Sequence, residues 1–190
     1  MRAGDAPHER ELLQRLANGP VGGDTLWVDM RAACTALPDE LRAQVVDRRA
    51  FHSLAHGFRF LEGYGHTDRQ RSLSTTSDDT TAEHPVIVRH PVSGREVLYV
   101  NESFTERMVG MGDAAGAAVL ERLFALARQP RFQMRLRWRR NTVVIWDNWA
   151  SQHFASGDHY PMYDREMQRV TVASSRRGGL FSNQPAPERR

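Results

Sequence analysis

The sequence predicts a mostly β protein, an antiparallel sheet with helices packed against it, and three observations carry that expectation. Residues 132–140, FQMRLRWRR, alternate apolar and polar side chains with the two-residue period of a strand. Residues 141–148, NTVVIWDN, form a short apolar run bounded by polar residues, and residues 165–174, REMQRVTVAS, alternate again. These strands crowd the last third while the helical periodicities lie between strand segments, so the regular strand-helix alternation of a doubly wound parallel sheet is missing.

Residues 1–19 have little apolar periodicity and read as a short polar helix or a disordered lead-in. From Asp29 the pattern turns helical: Met30, Ala33, Cys34 and Leu37 fall at i, i+3, i+4 and i+7. Pro38 suits a first-turn position, and Leu41, Val45 and Val46 continue an apolar stripe, which gives two consecutive helices or one bent pair. Residues 50–60 are rich in aromatics and fit a strand, although so short a run fits a buried helix as well. Residues 62–83 hold almost no core-forming side chains, and a connection of that length is a functional lid or a disordered excursion. Residues 84–101 read as two strands around a turn at Ser93 and Gly94. A helix is expected from an Asp113 N-cap to Arg128, with Leu120, Leu123, Phe124 and Ala127 on its buried face and Pro130 beyond its end. The tail from Gly178 should fray, so one domain is expected over residues 20–175, between a lead-in at 1–19 and a flexible tail at 176–190.

Composition narrows the function classes. Hydrophobic content of 40% with 26% charged residues is ordinary for a globular domain, and no apolar run approaches the roughly 20 residues that span a bilayer, so no membrane role is expected. The first twenty residues carry charges where a secretory signal needs an apolar stretch, and the single Cys34 cannot form an internal disulfide. Both suggest a cytoplasmic location. The pI near 9.6 raises nucleic acid, but the net charge is only +3 and the arginines are spread along the chain, so no nucleic-acid partner is expected.

The densest polar constellation lies near the C-terminus: Trp146, Asp147 and Asn148, then His153, then Arg165 and Arg169. On a strand, Arg165, Met167 and Arg169 share one face. Two guanidiniums on an interior face need anions. Either one pairs with an internal carboxylate while the other lies on the rim, or both serve an anionic ligand, whose carboxylate matches the guanidinium fork two bonds at a time. His153 taken alone fits a hydrogen-bonded structural histidine or a metal ligand. The triplet His66-Thr67-Asp68 has the form of two-thirds of an iron site, yet it lies in the polar connection, where ligands are poorly held, and one such triplet is what chance would supply.

The segments VGGDTLWVDMRAA (21–33), HPVIVRHPVSGREVLYVNESFT (84–105), WDNWASQHFA (146–155) and REMQRVTV (165–172) together resemble, in order, the motifs of the taurine and 2,4-dichlorophenoxyacetate dioxygenase family. The resemblance runs from about Pro20 to Ala173. It implies a double-stranded β-helix, or jelly roll, with packed helices, holding Fe(II) by two histidines and a carboxylate. It also implies O2 and 2-oxoglutarate as co-substrates, the latter decarboxylated to succinate as a small, anionic organic substrate such as a sulfonate, sulfate ester or carboxylate is hydroxylated. Position by position, His153 corresponds to the distal iron-binding histidine. Thr25 and Arg165 correspond to the pair that holds the far carboxylate of 2-oxoglutarate, Arg169 to the arginine that meets the substrate's anionic group, and Trp146 to a packing residue near the site.

One departure matters. In the family the proximal His-x-Asp lies upstream of the GGDT segment, and here the residues before Gly22 contain no such triplet. The expectation is therefore an N-terminally incomplete jelly roll whose exposed sheet edges either leave it less stable or pair with a second copy as a homo-oligomer, and whose iron affinity is weak. The alternative is a catalytically inactive, truncated member that serves as an anion-binding or assembly domain.

Overall fold

The computed structural model describes residues 8–17, 21–57, 81–159, 162–163 and 165–173, with backbone alone at 8–17 and 171–173. In chain order these form β1 (His8–Ala17), β2 (Thr25–Asp29), α1 (Met30–Thr35), α2 (Asp39–Val45), β3 (Arg49–Ser53), β4 (Thr81–Pro85), β5 (Ile87–Arg89), β6 (Glu96–Leu98) and β7 (Thr105–Met108). Helix α3 (Asp113–Ala127), a 3-10 turn (Pro130–Phe132), β8 (Gln133–Leu136), β9 (Val143–Asp147), β10 (Ser151–Ala155) and β11 (Glu166–Ala173) complete the order.

Two three-stranded antiparallel sheets, ordered β11-β1-β9 and β10-β2-β8, frame the site. Trp27 of β2, Trp146 of β9 and Trp138 pack together with Leu136, Val144 and Met167, so side chains from both sheets meet in one cluster between them. Trp27 is T-shaped against Trp146 at 5.5 Å, a preferred geometry for aromatic pairs. The expected apolar run at residues 141–148 divides by strand alternation: Val144 and Trp146 join this cluster, while Val143 and Ile145 face outward and are exposed.

Residues 8–17 overturn the lead-in expectation. They form the central strand of their sheet, with Leu12 in register between Val170 and Ile145. The segment HERELLQRLA has no clean local alternation. It is a strand because both of its edges hydrogen-bond to segments far along the chain, which outweighs weak local preference. In each of these sheets β10 and β11 are outer strands among the described residues.

Between β2 and β8 the chain builds a second layer. Asp29 caps α1, its carboxylate accepting from the backbone N–H of Arg31 at 2.9 Å and Ala32 at 3.1 Å. Met30, Ala33, Cys34 and Leu37 are buried as the helical spacing predicts, and with Leu41, Val45, the β5-β6 hairpin and α3 they form an aliphatic core. Residues β4, β3 and β7 make a third sheet in that order. The α3 cap differs from expectation: Gly112 occupies the N-cap and Asp113 is the first helical residue, where its charge suits the positive end of the helix dipole. Its fully buried face centres on Val119, Leu120, Leu123 and Leu126, with Phe124 and Ala127 partly covered. The segment read as a strand at 50–60 is β3 through Ser53, followed by a helical turn at 54–57, and its last three residues lie outside the described residues. The polar connection, apart from its last residues, and the tail from 176 lie outside the described residues. No helix among those described is long and apolar enough to cross a membrane.

Candidate functional site

The entry to β2 is built around one arginine. Gly22 and Gly23 have φ of +82° and +72°, the left-handed region that glycine occupies without strain. A Cβ at Gly22 would lie 2.9 Å from the His159 backbone nitrogen, and one at Gly23 would lie 3.1 Å from Cδ of Arg165. The turn therefore presses main chain against the arginine side chain. It is pinned by Asp158, whose carboxylate accepts the Gly23 N–H at 2.7 Å. That bond, first among several, holds the Asp158 carboxyl below the usual carboxylate range.

Thr25, almost fully buried, follows at the start of β2. Its Oγ1 accepts from Trp138 Nε1 at 2.9 Å and from Arg165 Nη2 at 3.2 Å. With both lone pairs used, the hydroxyl proton is left to donate beside the guanidinium. Asp24 makes its direct pair with another arginine, its carboxylate taking Nε of Arg135 at 2.7 Å, and its charge offsets the burial of Arg165 only in part. Arg165 is half-buried, its Nε is buried without a hydrogen-bond partner among the described residues, and burial pulls its pKa below the ordinary arginine value. A half-buried guanidinium whose buried Nε lacks a hydrogen-bond partner among the described residues, beside a hydroxyl with a proton to give, fits a carboxylate ligand.

His153 lies on β10 directly opposite Trp27, so it shares the inner face of its sheet, and its ring stands edge-on to Trp146 at 5.1 Å. Trp146 is thus the packing neighbour expected of it. Arg169 lies on β11 two residues from Met167 and on the same face, the one that meets the tryptophan cluster. The structure thus joins Thr25 and Arg165 directly and turns His153 and Arg169 to the inner faces of their strands, both exposed to solvent. His66 and Asp68 lie outside the described residues. Among those described, no three of His, Cys, Asp and Glu gather as a metal site.

Sequence reasoning singled out Asp147 without a role; the structure supplies one. Asp147 Oδ2 pairs with His90 Nε2 at 2.8 Å and Oδ1 accepts the Trp149 N–H at 2.8 Å, while Trp146 Nε1 donates to Asn148 at 2.7 Å. His90 Nδ1 in turn accepts from the backbone of Val92 and Ser93, so its proton sits on Nε2 and points at Asp147. The His-Pro turn after β5 and the Trp-Asp-Asn turn before β10 are two halves of one clasp that sets the start of the His153 strand.

The family model for "Taurine catabolism dioxygenase TauD, TfdA family" matches residues 5–171. The chain belongs to the TauD, TfdA family. It is 31% identical over 172 residues to an alpha-ketoglutarate-dependent sulfate ester dioxygenase of Pseudomonas putida, covering 89% of this chain and 56% of that protein. It is 32% identical over 166 residues to the alpha-ketoglutarate-dependent 2,4-dichlorophenoxyacetate dioxygenase of a Burkholderia species, covering 87% and 53% respectively. Among solved structures, AAD-2 in complex with Mn(II) and N-oxalylglycine superposes with a TM-score of 0.76 at 29% identity, over 91% of this chain and 66% of that one. A taurine dioxygenase from Burkholderia xenovorans gives 0.75 at 30% identity, over 92% and 57%. The chain thus spans about half the length of the curated relatives it matches. These TauD-type neighbours bear out the jelly-roll expectation, the two antiparallel sheets facing each other across the tryptophans.

In this TauD, TfdA chain a cavity of about 500 Å³ opens beside His153. It lies between β3, β4, the end of β6 and the start of β10, and includes His52, His84, Tyr99, Asn101 and Gln152. The rings of His52 and His84 are 5.2 Å apart, and each stands within 6 Å of Tyr99. Sequence reading passed over both histidines. They sit in separate segments with no motif spacing, and only the pairing of β3 with β4 brings them together.

Proposed function

We propose that the protein acts as an Fe(II)- and 2-oxoglutarate-dependent dioxygenase on a small organic substrate with an anionic group, a sulfonate, sulfate ester or carboxylate. In this reading Arg165 and the Thr25 hydroxyl hold the far carboxylate of 2-oxoglutarate, and His153 contributes one imidazole to iron. Arg169, on the same strand face as Arg165, receives the substrate's anionic group. When bound, iron and 2-oxoglutarate supply the oxidising chemistry: one O2 oxygen enters a substrate C–H bond and the other leaves in succinate, with CO2 released. This chain's residues supply position. Trp138 fixes the Thr25 hydroxyl, and the Gly22-Gly23 turn holds the Arg165 stem against it.

The observation that carries the reading is the Arg165 Nε, buried and without a hydrogen-bond partner next to a hydroxyl that still has a proton to donate. Calorimetric titration with 2-oxoglutarate tests it. Arg165→Ala should weaken binding by on the order of a hundredfold, as expected for losing a charge-assisted pair worth about 2–3 kcal/mol. An unchanged affinity in Arg165→Ala removes this arginine from the co-substrate site. Succinate release from 2-oxoglutarate with Fe(II), O2 and an alkyl sulfate or phenoxyacetate tests the whole reaction.

A further inference from the structure

The cavity beside His153 holds a donor that the proposed chemistry does not use. His52 Nδ1 lies 3.1 Å from Thr105 Oγ1, and that hydroxyl already accepts the Asn101 backbone N–H at 2.8 Å. Among the described residues that hydroxyl has no acceptor for its own proton other than Nδ1, so the arrangement that satisfies it sends the proton to Nδ1 and leaves the hydrogen of the neutral ring on Nε2. Nε2 is buried and has no hydrogen-bond partner among the described residues. Burial and the adjacent His84 ring keep His52 uncharged, with a pKa pushed down to about 4. Burial and then the charge of Arg49 lower His84 as well.

The lining decides what such a donor can recognise. Among the described residues no Asp, Glu, Lys or Arg lines the cavity, while Met30, Leu54, Leu98, Val100, Phe104 and Trp149 do. An ionised group placed here would lose its water and find no countercharge. An uncharged acceptor oxygen would satisfy the waiting N–H, and a ring or short chain suits a largely apolar space of this size.

We propose that this cavity receives the uncharged part of the substrate, an aryl or alkyl group joined through an ether or ester oxygen, and that His52 Nε2–H donates to that oxygen. The proposal rests on the oxygenase reading only in placing the reacting end of the molecule near His153, which lines the same space. His52 is then a specificity-determining residue, and the anionic end of the substrate lies outside the cavity, toward the arginines.

The test uses two probes that differ by one atom group, phenoxyacetate and 3-phenylpropanoate, in which a methylene replaces the ether oxygen. Each is titrated into the metal-free chain and followed by tryptophan fluorescence, Trp149 being part of the wall. Phenoxyacetate should bind about fivefold more tightly, the value of one neutral hydrogen bond. His52→Phe should abolish that preference, and His52→Gln, whose amide places an N–H near the Nε2 position, should keep part of it. Equal affinities in the unmodified chain, a preference that survives His52→Phe, or no binding of either probe overturns the proposal. If His52→Phe does not fold, nitrogen-15 NMR of the unmodified chain decides: the His52 Nε2 resonance must move with phenoxyacetate and stay with 3-phenylpropanoate, and any other pattern overturns it. These titrations need neither metal nor turnover. Intact probe selectivity without succinate formation would sink the oxygenase reading alone, and the reverse result would sink this one alone.

Discussion

The aliphatic core under the helices and the space between the two sheets differ in how they treat polar atoms. In the first, Leu123, Val45, Val86 and Ala33 are fully buried among other aliphatic side chains. Among the described residues, none of the buried side-chain atoms that lack a hydrogen bond belongs to it. The second holds three tryptophans, and Trp27 Nε1 and Arg165 Nε are both buried there without a hydrogen-bond partner among the described residues. The nearby cavity adds His52 Nε2. One region is packed for stability; the other gives some stability up, since buried polar groups without partners destabilise, and the proposed ligand sites lie in it.

Four experiments break or sharpen that contrast. Leu123→Ala should cost about 2–5 kcal/mol in urea unfolding, a cavity left in a region that cannot collapse. A loss below about 1 kcal/mol would mean the helical layer is loosely packed. Next is acid sensitivity of the cavity. The folded state holds His52 neutral down to about pH 4, while the unfolded chain protonates near 6.5. The unfolded state therefore binds the extra proton first, and stability present above pH 6.5 falls across that window. The loss from His52 is about 3 kcal/mol by pH 4, at roughly 1.4 kcal/mol per pKa unit. His52→Phe should flatten the unfolding free energy between pH 6.5 and 4, and an unchanged slope would show that the ring is hydrated. Third, Arg165→Met should raise the melting temperature through a gain of about 1 kcal/mol, because an apolar stem replaces a desolvated charge; a lower melting temperature would show that the charge is already compensated. Smallest, Asp29→Ala removes the α1 cap and should cost about 1 kcal/mol, with no change in 2-oxoglutarate affinity if the two regions are independent.

How far the sequence could be read follows the same division. Helices α1 and α2 and strands β8 and β11 carry a local period, 3.6 or 2, while β9 and the β5-β6 hairpin show as short apolar runs bounded by polar or turn residues, and all were legible. Strand β1 was not, because its ten residues carry charge without clean alternation and owe their conformation to partners on both sides. In the site, the shared face of Arg165 and Arg169 followed from strand alternation alone. The Thr25 contact came through family resemblance, since nothing in the segment GGDT says that a strand will carry its hydroxyl to an arginine far along the chain. The pairing of His52 with His84 is a product of sheet register, and no window of neighbouring residues contains it.

The Gly22-Gly23 turn has a consequence for mutational tolerance. At position 23 the left-handed backbone disfavours every side chain, and the first carbon of any of them would push on the stem of Arg165. In the proposed reading the placing of the Arg165 guanidinium is therefore tuned by the one residue type that adds nothing, and drift in this loop would be felt first in the grip on a carboxylate, before any loss of folding.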